Sequence, residues 1–173
     1  MGVRHREGVA GDQTSVRRTA DAADAIFQGS TVTQAPRKIN HVALAVPDIE
    51  AFLEKSAPLF EGFTHGPKIV NARQKVREQF ISDGATTLEL LEPLTEGSPL
   101  QGFLNKNRAG GLIHLALDVV DLDATIARVI AGGGRLVAGP VPDVAFNERR
   151  IAFVYLGGQL TELIELPRQA SPT

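Results

Sequence analysis

The chain has 173 residues, of which 43% are hydrophobic and 22% charged, with a formal net charge of −2. That is the composition of a soluble globular chain without the basic excess that draws nucleic acid or an anionic membrane, so neither is expected as a partner. The absence of cysteine excludes disulfides, thiolate catalysis and Cys-ligated zinc. No apolar run approaches the ~20 residues that span a bilayer, and the N-terminus has no signal-peptide core, so a cytoplasmic location is expected.

Residues 1–36 read as a flexible arm. Arg4, Arg6, Arg17 and Arg18 balance Glu7, Asp12, Asp21 and Asp24, and large apolar residues are scarce. A short helix is expected over Thr19–Phe27. A first module follows over 37–98. It opens with a strand, His41–Val46, in which His41, Ala43 and Ala45 share one face and Val42, Leu44 and Val46 the other. Asp48 is a helix N-cap, and Ile49, Phe52 and Leu53 form that helix's apolar stripe until Gly62. Three strands are then expected, at Thr64–Val70, Val76–Ser82 and Thr86–Glu92.

A connecting segment over 99–110 carries a short helix at Leu100–Asn105. The second module, 111–167, repeats the pattern. A strand holds His114, Ala116 and Asp118 on one face, and Asp121 caps a helix with Leu122, Ile126, Val129 and Ile130 inward. Gly132-Gly133-Gly134 ends that helix, and strands follow at Arg135–Ala138, Arg150–Tyr155 and Leu160–Leu166. Residues 168–173 are a tail.

The repeat is explicit in the text. His41-Val42-Ala43-Leu44-Ala45-Val46-Pro47-Asp48-Ile49 returns as His114-Leu115-Ala116-Leu117-Asp118-Val119-Val120-Asp121-Leu122, 73 residues later. The chain is therefore α+β, with two βαβββ modules forming a curved, mixed or antiparallel sheet around a central cleft. The bulky strand faces suit packing under helices, and the small faces with their histidines leave room for a ligand.

Each module also ends in an apolar strand that carries glutamates: Leu88-Glu89-Leu90-Leu91-Glu92 and Glu162-Leu163-Ile164-Glu165-Leu166. Glu89 corresponds to Glu162 at the spacing of the histidines. It corresponds to Glu165 if one module holds a three-residue insertion, and periodicity alone leaves both open. Glu92 and Glu162, out of phase with Glu89 and Glu165, are expected to face solvent. In either case two imidazoles and two carboxylates can converge on a divalent ion such as Co, Mn, Ni, Zn or Fe, leaving positions for two neighbouring substrate oxygens.

These residues resemble the vicinal oxygen chelate, or glyoxalase-like, superfamily, and most of all its acyl-CoA epimerases. The likeness is carried by Asn40–Ile49, Leu88–Leu94, Ser98–Asn107, Gly110–Val119 and Glu162–Leu166. It implies metal ligands at His41, Glu89, His114 and Glu165, which chooses the second register. It also implies an acid/base pair of Glu165 and Glu78 and a small-molecule substrate carried as an acyl-CoA thioester. The modules of such proteins pair within a chain or between the chains of a homodimer. Two stretches depart from the pattern. The turn Tyr155-Leu156-Gly157-Gly158-Gln159 lacks the usual lysine, and Pro140–Phe146 replaces a Gly-rich segment. Arg149 and Arg150 are candidates to meet a carboxylate or phosphate.

The resulting expectation is a metal-dependent epimerase or isomerase that removes a proton alpha to a carbonyl through a stabilised enolate. No Gly-x-Gly-x-x-Gly follows a strand, in keeping with chemistry that needs no redox nucleotide. A lactoylglutathione lyase-like or biosynthetic isomerase would use the same four ligands. An extradiol oxygenase would need only two His and one Glu. A metal-free resistance protein would need an aromatic cleft, for which one Tyr, eight Phe and no Trp form a thin stacking surface.

Overall fold

A computed structural model describes residues 38–167, so the expected Thr19–Phe27 helix and the 168–173 tail lie outside the described residues. The first module runs β1 (Ile39–Ala45), α1 (Ile49–Ser56), a 3₁₀ turn (Ala57–Leu59), β2 (Thr64–Asn71), β3 (Val76–Ser82) and β4 (Thr87–Pro93). Helix α2 (Gln101–Lys106) leads to β5 (Gly111–Val119), α3 (Leu122–Ala131), β6 (Arg135–Asp143), a second 3₁₀ turn (Val144–Phe146), β7 (Arg149–Leu156) and β8 (Gln159–Glu165).

The eight strands form one sheet in the order β2-β3-β4-β1-β5-β8-β7-β6. Within each module the first strand pairs parallel with the last, and antiparallel pairing of β1 with β5 joins the halves within one chain. The sheet curls into a half-barrel, and its two edges meet at one end. There Asn71 Nδ2 and Gln74 Nε2, from the β2–β3 hairpin, donate to Asp143 Oδ2 at 2.8 and 2.7 Å. Strand β6 runs five residues beyond the expected Ala138, through Pro140 and Pro142. As a sheet edge it tolerates prolines that an inner strand would not.

Both helices start as their sequences require. Asp48 Oδ1 accepts from Ala51 N and Asp121 Oδ1 from Ala124 N, each at 2.8 Å, an N-cap contact worth about 1 kcal/mol. On the convex side α1 buries Ile49, Ile81 and Leu90, and α3 buries Leu122, Ile126 and Leu163. On the concave side Ala43 and Ala45 are covered by Leu104 of α2 and by Leu100 at its start, so part of the small face is packed instead of open. Deeper in the cleft Ala43 pairs with His114 and Ala116 with His41 across β1–β5. Methyl-sized neighbours leave space for both imidazoles.

Candidate metal centre

Strand pleating decides which glutamates reach the cleft, because neighbouring side chains point to opposite faces. In β4, Glu89 lies beside Ala43 on the concave face, while Leu90 packs on the convex side. In β8, Glu162 lies beside Ala116 on the concave face, while Leu163 packs under α3. His41 Nε2 is 3.1 Å from Glu89 Oε2, 3.4 Å from Glu162 Oε2 and 3.4 Å from His114 Nε2. His114 Nε2 is 3.4 and 3.6 Å from the same two carboxylates. The four ligating atoms lie within 4.8 Å of one another, and all four residues are buried.

The structure thus brings His41, Glu89 and His114 together and corrects the fourth position: Glu162 joins them and Glu165 does not. Three residues along a strand is an odd step, so Glu162 and Glu165 must point to opposite faces. Glu165 takes Arg150 Nε at 2.8 Å and Nη2 at 3.0 Å, and faces the first amide of α3 (Leu122 N, 3.4 Å). The expectation that Glu92 and Glu162 face solvent is corrected too, since both are buried. Glu92 is the first module's copy of Glu165. It pairs with Arg77 and accepts from the first amide of α1 (Ile49 N, 2.7 Å). Glu92/Glu165, Arg77/Arg150 and Glu89/Glu162 all keep the 73-residue spacing of the histidines, so the modules need no insertion between them. That spacing was the available signal for Glu162.

Aromatic rings hold the imidazoles. Phe80 meets His41 edge-on at 5.5 Å and its repeat copy Phe153 meets His114 at 5.3 Å, while Phe146 stacks on His41 at 5.8 Å. A hydrogen-bonded chain fixes one tautomer. Asn40 Nδ2 donates to Asp118 Oδ1 at 3.0 Å, so the amide oxygen of Asn40 faces His41 Nδ1, also at 3.0 Å. Nδ1 then carries a hydrogen, so loss of the other ring proton leaves the Nε2 lone pair turned into the cluster. Asn40, Asp118 and the three phenylalanines were not among the expected site residues.

Charge in the cluster is finely balanced in the metal-free protein. Burial opposes ionisation of Glu89, but hydrogen bonds from His114 and His41 win and lower its pKa to about 2. Burial opposes protonation of His114, yet Glu162 and Glu89 raise its pKa to about 9. Glu162 is shifted up, chiefly by burial. Its Oε2 has no hydrogen-bond partner although it is buried. An unpartnered carboxylate oxygen facing two imidazole Nε2 atoms, in a set of two N and two O donors, fits a divalent cation.

Glu78 stands one strand further along. It faces the cleft from β3 between Val76 and Phe80, is 2% exposed, and its Oε1 also lacks a hydrogen-bond partner. Burial first, and the negative charge of Glu89 next, push its pKa up to about 9. Arg149 and Arg150, the two candidate anion binders, meet carboxylates of the chain itself, Asp118 (3.8 Å) and Glu165 with Asp123.

A cavity of about 610 Å³ reaches His114, in the range of small-molecule sites. Its walls are apolar, among them Leu100, Val141, Ile151 and Phe153, and Arg73 and Lys75 of the β2–β3 turn stand on its lining. Among the described residues no helix is long and apolar enough to cross a membrane.

The Glyoxalase/Bleomycin resistance protein/Dioxygenase superfamily model matches residues 40–153. An ethylmalonyl-CoA/methylmalonyl-CoA epimerase of Cereibacter sphaeroides is 36% identical over 73% of this chain and 96% of its own. The crystal structure of methylmalonyl-CoA epimerase from Mycobacterium tuberculosis superposes with a TM-score of 0.64 at 32% identity, covering 75% of this chain and 88% of that one. A methylmalonyl-CoA epimerase solved in complex with methylmalonyl-CoA and NH4+ has a TM-score of 0.64 at 32% identity, covering 79% and 99%.

Proposed function

The chain belongs to the Glyoxalase/Bleomycin resistance protein/Dioxygenase superfamily, and from that premise we propose that it epimerises methylmalonyl-CoA or a close 2-alkylmalonyl-CoA. The relatives named above supply the substrate class. One observation carries the reaction: two buried carboxylates, Glu78 and Glu162, each hold an oxygen without a hydrogen-bond partner at the cleft, one from each module. An epimerase needs two such groups, one to remove the alpha proton and one to return it on the other face.

His41, Glu89, His114 and Glu162 would hold a divalent cation, one of Co, Mn, Ni, Zn or Fe. Bound there, it supplies a Lewis acid for the carbonyl oxygens of the substrate. The chain's own residues do the rest. A Glu78 oxygen takes the alpha proton, and the C–H electron pair moves into the thioester carbonyl to give an enolate. Glu162 delivers a proton to the opposite face. The phenyl rings of Phe80, Phe146 and Phe153 keep water from the reacting carbon. In this reading Glu162 takes the acid/base role that the family likeness implies for Glu165, whose carboxylate is engaged by Arg150 on the far side of the sheet.

The test is exchange in D2O. With one epimer of methylmalonyl-CoA and the Co²⁺-loaded protein, we expect the other epimer to appear with deuterium at the alpha carbon. Absence of both epimerisation and exchange by the loaded protein would exclude this reading.

A further inference from the structure

We propose that Lys75 and Arg73 receive the phosphate end of the acyl-CoA, so that the β2–β3 turn of the first module reads the carrier whose acyl group reacts at the centre. The inference rests on the acyl-CoA reading above and adds the residues that recognise the carrier. One cavity is lined both by His114 of the buried cluster and by Arg73 and Lys75. The rest of its lining is mostly aliphatic and aromatic, and no aspartate or glutamate lines it. A neutral, flexible pantetheine arm suits such walls, and a multiply charged diphosphate suits a pair of cations.

The two cations are available for an anion. Both are exposed, and among the described residues neither forms an ion pair with a carboxylate. The guanidinium of Arg73 donates to the carbonyl of Pro142 across the closed edge, which holds it on the cavity and leaves other N–H groups unused. Lys75 is held by its backbone, whose carbonyl accepts from Leu94 N at 3.0 Å. Gly97 leaves space for its side chain, since a Cβ there would stand 3.3 Å from Nζ. The repeat sharpens the point. Positions 73 residues later are Phe146 and Glu148, one apolar and one acidic, so the cations belong to one module only.

Backbone geometry supplies a clean variant. Lys75 has φ of 58°, a left-handed conformation that glycine adopts without penalty. Lys75→Gly therefore removes the cation without straining the turn. Calorimetric titration compares free CoA with pantetheine, which lacks phosphate, on the wild type, Lys75→Gly, Arg73→Ala and Lys75→Arg. We expect Lys75→Gly and Arg73→Ala each to weaken CoA about 5- to 10-fold, the size of one charge-assisted contact. Pantetheine should bind all four proteins alike, and Lys75→Arg should keep most of the CoA affinity. In turnover of methylmalonyl-CoA the same factor should appear in KM and not in kcat. Equal loss for CoA and pantetheine, or CoA binding unchanged in both variants, overturns the assignment. A wild type that binds CoA in this way but turns over no malonyl thioester would instead overturn the epimerase reading and leave this one standing.

Discussion

The two modules are close copies in their scaffold and differ where the chemistry is asymmetric. Histidines, cluster glutamates, ring partners and helix-start carboxylates all recur at one spacing: His41/His114, Phe80/Phe153, Glu89/Glu162 and Glu92/Glu165. Glu78, by contrast, has Ile151 as its copy, Asn40 has Ile113, and Lys75 has Glu148. Duplication built a symmetric ligand cage. Substitution then gave one half a buried carboxylate, Glu78, an amide behind His41 and a cationic turn, and gave the other half an apolar cavity wall; in the proposed function these serve proton transfer, tautomer choice and anion binding. A symmetric cage can hold an ion, but a chiral substrate needs its two faces served differently.

Substitutions within the symmetric set should have the largest effects. His41→Ala and His114→Ala are each expected to abolish Co²⁺ retention, and with it turnover, to a similar degree; metal analysis after gel filtration and the D2O exchange assay read the two losses. Marked retention of metal by one variant would show that the halves are not equivalent. The asymmetric position comes next. Glu78→Gln should lower kcat by about 10² to 10⁴ with metal content intact, whereas Ile151→Val should appear in thermal melts as about 1 kcal/mol of lost packing. Asn40→Ala should weaken Co²⁺ about 10- to 100-fold by freeing the His41 tautomer, as loss of a partner behind a metal-bound imidazole does. Asn40→Asp keeps the acceptor but sets a carboxylate against Asp118, so it should recover only part of the loss.

The smallest effect is on stability against pH in the metal-free protein. The pKa of His114 is raised to about 9, so its contribution is full below its unfolded value near 6.5 and fades as pH rises toward 9. Glu78, also raised to about 9, acts in the same direction: above about 4.5 the unfolded chain ionises there and the folded one does not. Tm of the metal-free protein should therefore fall between pH 6.5 and 9. Saturating Co²⁺ should reverse the trend, because binding releases protons from the cluster. A flat or rising metal-free profile would mean that the cluster carries no such protons.

Much of this was legible in the sequence. The repeat announced two βαβββ modules, and small residues beside His41 and His114 marked the concave face. What misled was Glu165. Both Glu162 and Glu165 sit in apolar text, and strand alternation says only that they oppose each other, not which faces the cleft. The 73-residue spacing pointed to Glu162, while the family likeness implied Glu165. The structure shows why the strand keeps both: one faces the imidazoles, the other Arg150 and the start of α3. The strand expected to end at Ala138 continues through Pro140 and Pro142 because β6 is an edge, which nothing local reveals. The roles of Arg73 and Lys75 were hidden for a topological reason: only sheet curvature brings a turn of the first module onto a cavity walled by the second.

Co²⁺ titration of the wild type against Glu162→Ala and Glu165→Ala, followed by calorimetry, tests the central claim most directly. Glu162→Ala should lose tight binding of the ion. Glu165→Ala should bind it with wild-type stoichiometry and affinity but melt earlier, having lost one of the two carboxylates that Arg150 meets. Tight binding by Glu162→Ala together with its loss in Glu165→Ala would contradict the account.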